Sequence, residues 1–227
     1  MSDTQSEFQN FLSQQDQGEY LTIHTKRYIE TYSRIEQTIA DGSSVVELGS
    51  ESVISSFLRS RRGCMVETIS SDLRFPYAFP GDAVDVVLSL EVVEHLNDSH
   101  NMGSSIEEIA MFSMTGAKCM FGEAFRILKT GGKLIMTTPN ANSLDVIGNV
   151  INNRHPFQYP PHVREYTIAD ILQLGAAAGF ACDYVSTFFA WNSMPDVSRA
   201  HIMKIIQEAG ADTANRGDDS LFIFAKQ

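Results

Sequence analysis

Short runs rich in aliphatic and β-branched residues set the strongest limit on what this chain can fold into. They are "SSVVELGS", "CMVETIS", "AVDVVLSL" and "KLIMTTPN". Each is too short for a helix and ends in a turn signal, the mark of strands covered on both faces. Helical patterns surround them. Residues 18–40 place Leu21, Ile23, Tyr28, Ile29, Tyr32, Ile35 and Ile39 at roughly helical spacing before the Asp41-Gly42 stop. "ESVISSFLRSRRG" suits a helix ending at Gly63. From Ser105 to Leu128, the residues Ile109, Phe112, Ala117, Met120, Phe121, Ala124 and Phe125 recur at threes and fours until Lys129-Thr130-Gly131-Gly132 breaks the pattern. In "TIADILQLGAAAGF" Thr167 can cap a helix and Gly179 can end it. "FACDYVSTFFAW" and "SLFIFAKQ" are the last strands, with a helix near Val197–Ala209 between them.

Strands alternating with helices imply an α/β domain: a doubly wound, mostly parallel sheet covered on both faces, with an antiparallel strand pair at its end. Residues 1–40 form an N-terminal helical extension and residues 41–227 the main domain. Ligands of such sheets bind at the carboxyl ends of the strands. The charge balance, 17 basic against 28 acidic residues, argues against a nucleic-acid surface and for a small-molecule partner. No apolar run approaches a membrane span, and the polar start lacks the order of a secretory signal. Cys64, Cys119 and Cys182 lie far apart and read as reduced thiols of a cytoplasmic protein.

One stretch breaks the apolar pattern. "LSLEVVEHL" puts Glu91, Glu94 and His95 where burial is expected, and buried charge needs a partner or a metal. A helical turn after the strand would bring the three to one face, since i, i+3 and i+4 are neighbours there. Two carboxylates and an imidazole can hold a divalent cation. His95 could equally serve as general base or contact the acceptor, and the group could be structural.

"VVELGS", "DVVLSLEVVEHL" and "EAFRILKTGGKLIMTTPN" follow the order and spacing of class I S-adenosylmethionine-dependent methyltransferases, and over about residues 40–227 the chain resembles that family. The resemblance implies a Rossmann-like sheet of seven strands with the last reversed. It implies S-adenosylmethionine as cofactor, held by Glu47, Gly49, Ser50, Asp72, Leu73 and Leu90, with Glu67 a weaker match to the family's ribose-binding acid. E-x-x-E-H is similar to a string in small-RNA 2′-O-methyltransferases and ubiquinone-pathway O-methyltransferases. By that likeness Glu91, Glu94, His95 and the His162 of "YPPHVREYT" would bind Mg²⁺ or Mn²⁺, with Glu91 and His95 catalytic.

The sequence departs from the family pattern twice. Ser50-Glu51-Ser52 replaces further glycines, so Glu51 would stand beside the cofactor's own carboxylate. The segment between "CMVETIS" and "VDVVLSL" is too short for the usual helix and strand, so the region between the second and fourth family strands is shortened. Asn140 and Asn142 are candidates for substrate contact or capping, Arg164 for an ion pair with Glu165 or for binding an anionic acceptor, and the helix bearing His24 and Tyr28 for a lid. The implied function is methyl transfer to an oxygen or nitrogen of a small polar metabolite. The rival is a binding or scaffold protein that keeps the fold with an eroded cofactor site. A nicotinamide-dependent oxidoreductase is disfavoured, because no GxGxxG follows the first strand.

Overall fold

Six strands form one sheet in the order β2-β1-β3-β4-β6-β5 in the computed structural model, which describes residues 3–16, 18–98, 114–191 and 194–227. The strands are β1 (Ser44–Leu48), β2 (Met65–Ile69), β3 (Val84–Leu90), β4 (Leu128–Pro139), β5 (Phe180–Phe188) and β6 (Asp219–Lys226). The pairs β1–β2, β1–β3 and β3–β4 are parallel, and β6 runs antiparallel to both β4 and β5. The carboxyl ends of β1, β3 and β4 therefore share one edge with the start of β6, where Pro139 stands opposite Asp219. The expected doubly wound α/β architecture with a reversed last strand is what the chain adopts.

Among the described residues six strands stand where the resemblance implied seven. No helix or strand lies between β2 and β3, so the shortened segment costs the sheet one strand and leaves β2 at its edge. β4 begins earlier than the Lys129–Gly132 break suggested. Val84 pairs with Leu128 and Val86 with Lys133, so these four residues bulge out, with Gly131 at φ 80°.

Among the described residues the α-helices are α1 (Asp3–Ser13), α2 (Glu19–Ile35), α3 (Val53–Arg61), α4 (Thr115–Ile127), α5 (Leu144–Ile151), α6 (Ile168–Ala178) and α7 (Asp196–Glu208). Of the helix expected over Ser105–Leu128, the part bearing Ile109 and Phe112 lies outside the described residues. α6 starts on the expected Thr167 cap, completed by Asp170 as a reciprocal capping box, and ends on Gly179 at φ 99°. Helices α1 and α5 were not anticipated.

Alternation along the strands divides the core. Phe222 and Phe224 of β6 face one side, with Phe121 of α4 and Leu174 of α6; Leu221 and Ile223 face the other, with Tyr32, Ile54 and Phe57. On that second face Phe8 of α1 stacks on Tyr32 at 4.3 Å between centroids and meets Phe57 edge-on at 5.1 Å. Residues of α1 and α2 thereby share one core with α3 on that face. Among the described residues no helix is long and apolar enough to cross a membrane.

Candidate functional site

The site begins where β1 stops. Glu47 is 1% exposed, and its Oε2 accepts from the backbone N–H of Ser52 at 2.8 Å. Ser52 in turn caps α3 through Ser55 N–H. Burial pushes the Glu47 carboxyl above the usual range, against the hydrogen bonds from Ser52 and Ser55. Between these anchors Gly49 turns the chain at φ 93°, and a Cβ there would lie 3.3 Å from Val92 Cγ2. The turn thus exposes backbone where a side chain would crowd the next loop. Gly49→Ala is expected to lower the melting temperature by about 2–8 °C, from a left-handed cost of ~1–2 kcal/mol, as differential scanning fluorimetry would show.

Glu51, expected to stand beside the cofactor's carboxylate, is tied back. Its Oε1 takes Arg59 Nη1 at 2.6 Å and Ser56 Oγ at 2.7 Å, contacts that hold its carboxyl below the usual range.

At the end of β3 the chain changes direction on Glu91, a non-glycine residue at φ 58°. This left-handed residue separates Glu91 from the motif it opens. The segment then forms a single 3₁₀ turn, Val93–His95. Glu94, His95 and His162 bring one ligand atom each to within 4.8 Å of one another; Glu91, expected as a fourth ligand, is not in that group. It faces Arg27, whose Nη1 is 3.9 Å from Glu91 Oε1, and Thr137 and Asp219 are within reach of its carboxyl.

Glu94 is fully buried. One oxygen accepts from Thr138 Oγ1 at 3.0 Å, and the other has no hydrogen-bond partner. Burial, followed by repulsion from Glu91, raises its pKa well above the usual range. The Glu94 backbone carbonyl accepts from Val163 and Arg164 N–H at 3.0 and 3.2 Å, pinning the His162 loop against the 3₁₀ turn. The two imidazoles meet edge-on, 5.0 Å between centroids. His162 Nδ1 is 2.9 Å from Glu165 Oε1, which leaves Nε2 as the ligand atom. Glu165 is therefore not Arg164's partner; its Oε1 also accepts from Gln158 and Tyr159 N–H.

Helix α2 roofs this edge. A cleft of about 460 Å³ is lined by Tyr20, Arg27 and Tyr28 from α2, by Glu47 and Gly49 through Ser52, and by Leu90, Glu91, Val92, His95 and Leu96. Of the residues expected at the cofactor, Glu47, Gly49, Ser50 and Leu90 lie in its walls. Asp72 and Leu73 do not: Asp72 is held by Arg74 at 2.7 Å, and Leu73 is 5% exposed in the core. Of the lid residues, Tyr28 lines the cleft, whereas His24 accepts from Trp191 Nε1 at 3.2 Å. Asn140 braces the loops instead: its Nδ2 donates to Asn215 and Gly217 carbonyls and its Oδ1 accepts from Asn142 N–H, while the cap of α5 is Ser143.

Sequence reasoning missed Arg27, Asp219 and Glu165. Asp219 is 0% exposed, and neither of its oxygens has a hydrogen-bond partner. No local pattern marks Arg27 or Asp219, which meet Glu91 from elements distant in sequence, whereas Glu165 stands three residues from His162, a spacing that could have pointed to it.

Comparison with known proteins gives a consistent picture. A family model described as "Methyltransferase domain" matches residues 20–185. A probable S-adenosylmethionine-dependent methyltransferase of Mycolicibacterium smegmatis is 27% identical over 128 residues, 56% of this chain. This chain spans 40% of that relative's length. A crystal structure of a SAM-dependent methyltransferase from Archaeoglobus fulgidus superposes with a TM-score of 0.57 at 15% identity, covering 88% of this chain and 94% of that one. Another, a possible histamine N-methyltransferase from Thermotoga maritima, gives 0.55 at 15% identity over 97% and 98%. At such identities the structures attest the fold.

Proposed function

This chain belongs to the methyltransferase-domain family, and we propose that it moves the methyl group of S-adenosylmethionine to an oxygen or nitrogen of a small polar metabolite, with a divalent cation helping to activate the acceptor. The observation carrying this reading is that Glu94, His95 and His162 converge beside a cleft that also holds the Gly49 turn. The cleft suits the cofactor. Gly49 keeps the β1–α3 turn free of a side chain, Glu47 stands behind it as a buried acceptor, and Glu51 is neutralised by Arg59. That last contact removes the electrostatic motive for the scaffold reading.

The cofactor supplies an electrophilic sulfonium methyl, and the protein's task is orientation and deprotonation of the acceptor. Glu94, His95 and His162 suit a cation on donor chemistry: one orphaned carboxylate oxygen and two imidazoles, with Glu165 behind His162. The ion would lower the pKa of an acceptor hydroxyl. Imidazole ligands favour Mn²⁺ over Mg²⁺ in such a set. Burial, and then the nearby His162, lower the His95 pKa, so its ring stays neutral near pH 7 and free to coordinate or to accept a proton.

The test is transfer of a labelled methyl group to a panel of hydroxyl- and amine-bearing metabolites, before and after chelation. We expect chelator to suppress transfer and Mn²⁺ to restore it, with no restoration in Glu94→Gln or His162→Gln. Transfer indifferent to chelation would remove the cation. Failure of S-adenosylmethionine to bind, by calorimetry, would remove the enzyme.

A further inference from the structure

We propose that Arg27 is the carboxylate receptor of this cleft, taking a singly charged ligand carboxylate on its guanidinium beside Tyr20. Arg27 lies on α2 with its side chain 3% exposed, yet it lines the cleft. A guanidinium carries five N–H donors in a planar fork. Here they meet little: Tyr20 OH at 3.4 Å and Glu91 Oε1 at 3.9 Å, the latter too long for a hydrogen bond, while Nε has no partner.

Another buried arginine of the same chain shows what satisfaction looks like. Arg199 reaches Asp145 at 2.9 and 3.0 Å, Asp218 at 2.9 Å and the Trp191 carbonyl at 3.0 Å. Buried polar groups are nearly always paired, so the open fork of Arg27 asks for an acceptor that the protein does not provide. Glu91 is close enough to hold the guanidinium in place, and Tyr28 lies under it, 4.7 Å from the ring centroid to Cζ.

The shape of the fork selects the ligand, because Glu47 and Glu91, which line the cleft, are both pushed by burial toward the uncharged form. A carboxylate matches the fork bidentately. If the same molecule carries an ammonium group, the acids of the walls can receive it. Two sources supply that chemistry: the amino-acid end of the cofactor, and an acceptor that is itself a carboxylate. Naming the first source rests on the methyltransferase reading; the receptor does not.

The experiment follows the Arg27 Nε–Hε resonance of the wild-type protein, assigned by its disappearance in Arg27→Lys. The probes are S-adenosylhomocysteine, 5′-methylthioadenosine, which lacks the amino-acid end, and glycine added on top of 5′-methylthioadenosine. A shift with S-adenosylhomocysteine alone assigns the carboxylate to the cofactor; a shift that needs glycine assigns it to the acceptor. In the first case Arg27→Gln should lower the preference for S-adenosylhomocysteine over 5′-methylthioadenosine by about tenfold or more in calorimetry. No shift with any probe overturns the inference. If S-adenosylhomocysteine still binds calorimetrically, the methyltransferase reading survives that result; if it does not, both fall.

Discussion

His95→Ala is expected to slow methyl transfer by about 10²–10⁴-fold, the usual range for losing a positioned acid–base group, while cofactor affinity stays within about threefold of wild type. The separation follows from where the ring stands. His95 is the one member of its trio that reaches solvent, with its side chain 51% exposed against 0% for Glu94 and 9% for His162. Truncating an exposed ring removes little packing, so stability should change by only about 0.5 kcal/mol. Both readings of the ring, cation ligand and proton acceptor, lose the acceptor's activation. They part in the pH profile. With burial, then His162, lowering the His95 pKa below its ordinary 6.5, the wild-type rate should rise through a value under 6.5 and be level at neutral pH. Rescue of His95→Ala by added imidazole without metal would assign a base; rescue only by excess Mn²⁺ would assign a ligand. A variant that keeps wild-type kcat would place the chemistry elsewhere in the cleft.

The sheet was legible because its strands are read locally: "VVEL", "VDVVLSL" and "KLIMTT" each carry enough aliphatic residues to need cover on two faces. The missing strand was legible too, as a segment too short to hold it. Helix α1 was not, because it shows the sequence only Phe8 and Leu12 as buried anchors, and the stacking partners Tyr32 and Phe57 come from other helices. Gly148 disguised α5, since glycine disfavours a helix; here Met194 and Ile202 sit where a Cβ would be. Within the site the turn at Gly49 and the His162 loop were recognisable from motif order. The split of Glu91 from Glu94 was not, since it depends on one left-handed residue that helical spacing could not reveal. Arg27 was hidden by the rule that places charge outward: periodicity put Ile23 in the core, whereas Ile23 is 56% exposed and Arg27 3%.

Arg199→Ala should destabilise the fold by roughly 3–5 kcal/mol, because it strips the cation from two buried carboxylates at once. Arg199 of α7 joins Asp145 of α5 to Asp218, whose Oδ1 accepts from Ala190 N–H at 2.5 Å. Against a typical total of about 5–15 kcal/mol, that loss is roughly a fifth or more of what keeps the chain folded. Lysine at this position cannot substitute, since one ammonium cannot reproduce the fork that spans both acids. The pH dependence gives the loss its signature. Burial, with repulsion from Asp145, pushes Asp218 up to about 6 even beside the guanidinium. A carboxyl raised in the folded state binds protons that the unfolded chain releases, so its contribution is present at low pH and lost as pH rises toward 6. Without Arg199 the Asp218 carboxyl loses the charge that holds it down, and the variant's deficit should be largest at pH 7–8 and narrow as pH falls toward 5, visible as converging urea midpoints. Adding Asp218→Asn to Arg199→Ala should recover part of the loss at pH 7, since an amide needs no counter-charge. A deficit below about 1 kcal/mol, or one flat with pH, would mean the triad is solvated and contributes no more than a surface pair. The result also bears on the site, because Asp218 adjoins Asp219 at the end of β6. If the triad loosens, the register of Asp219 against Pro139 frays, and with it the floor on which Glu91 and Arg27 rest.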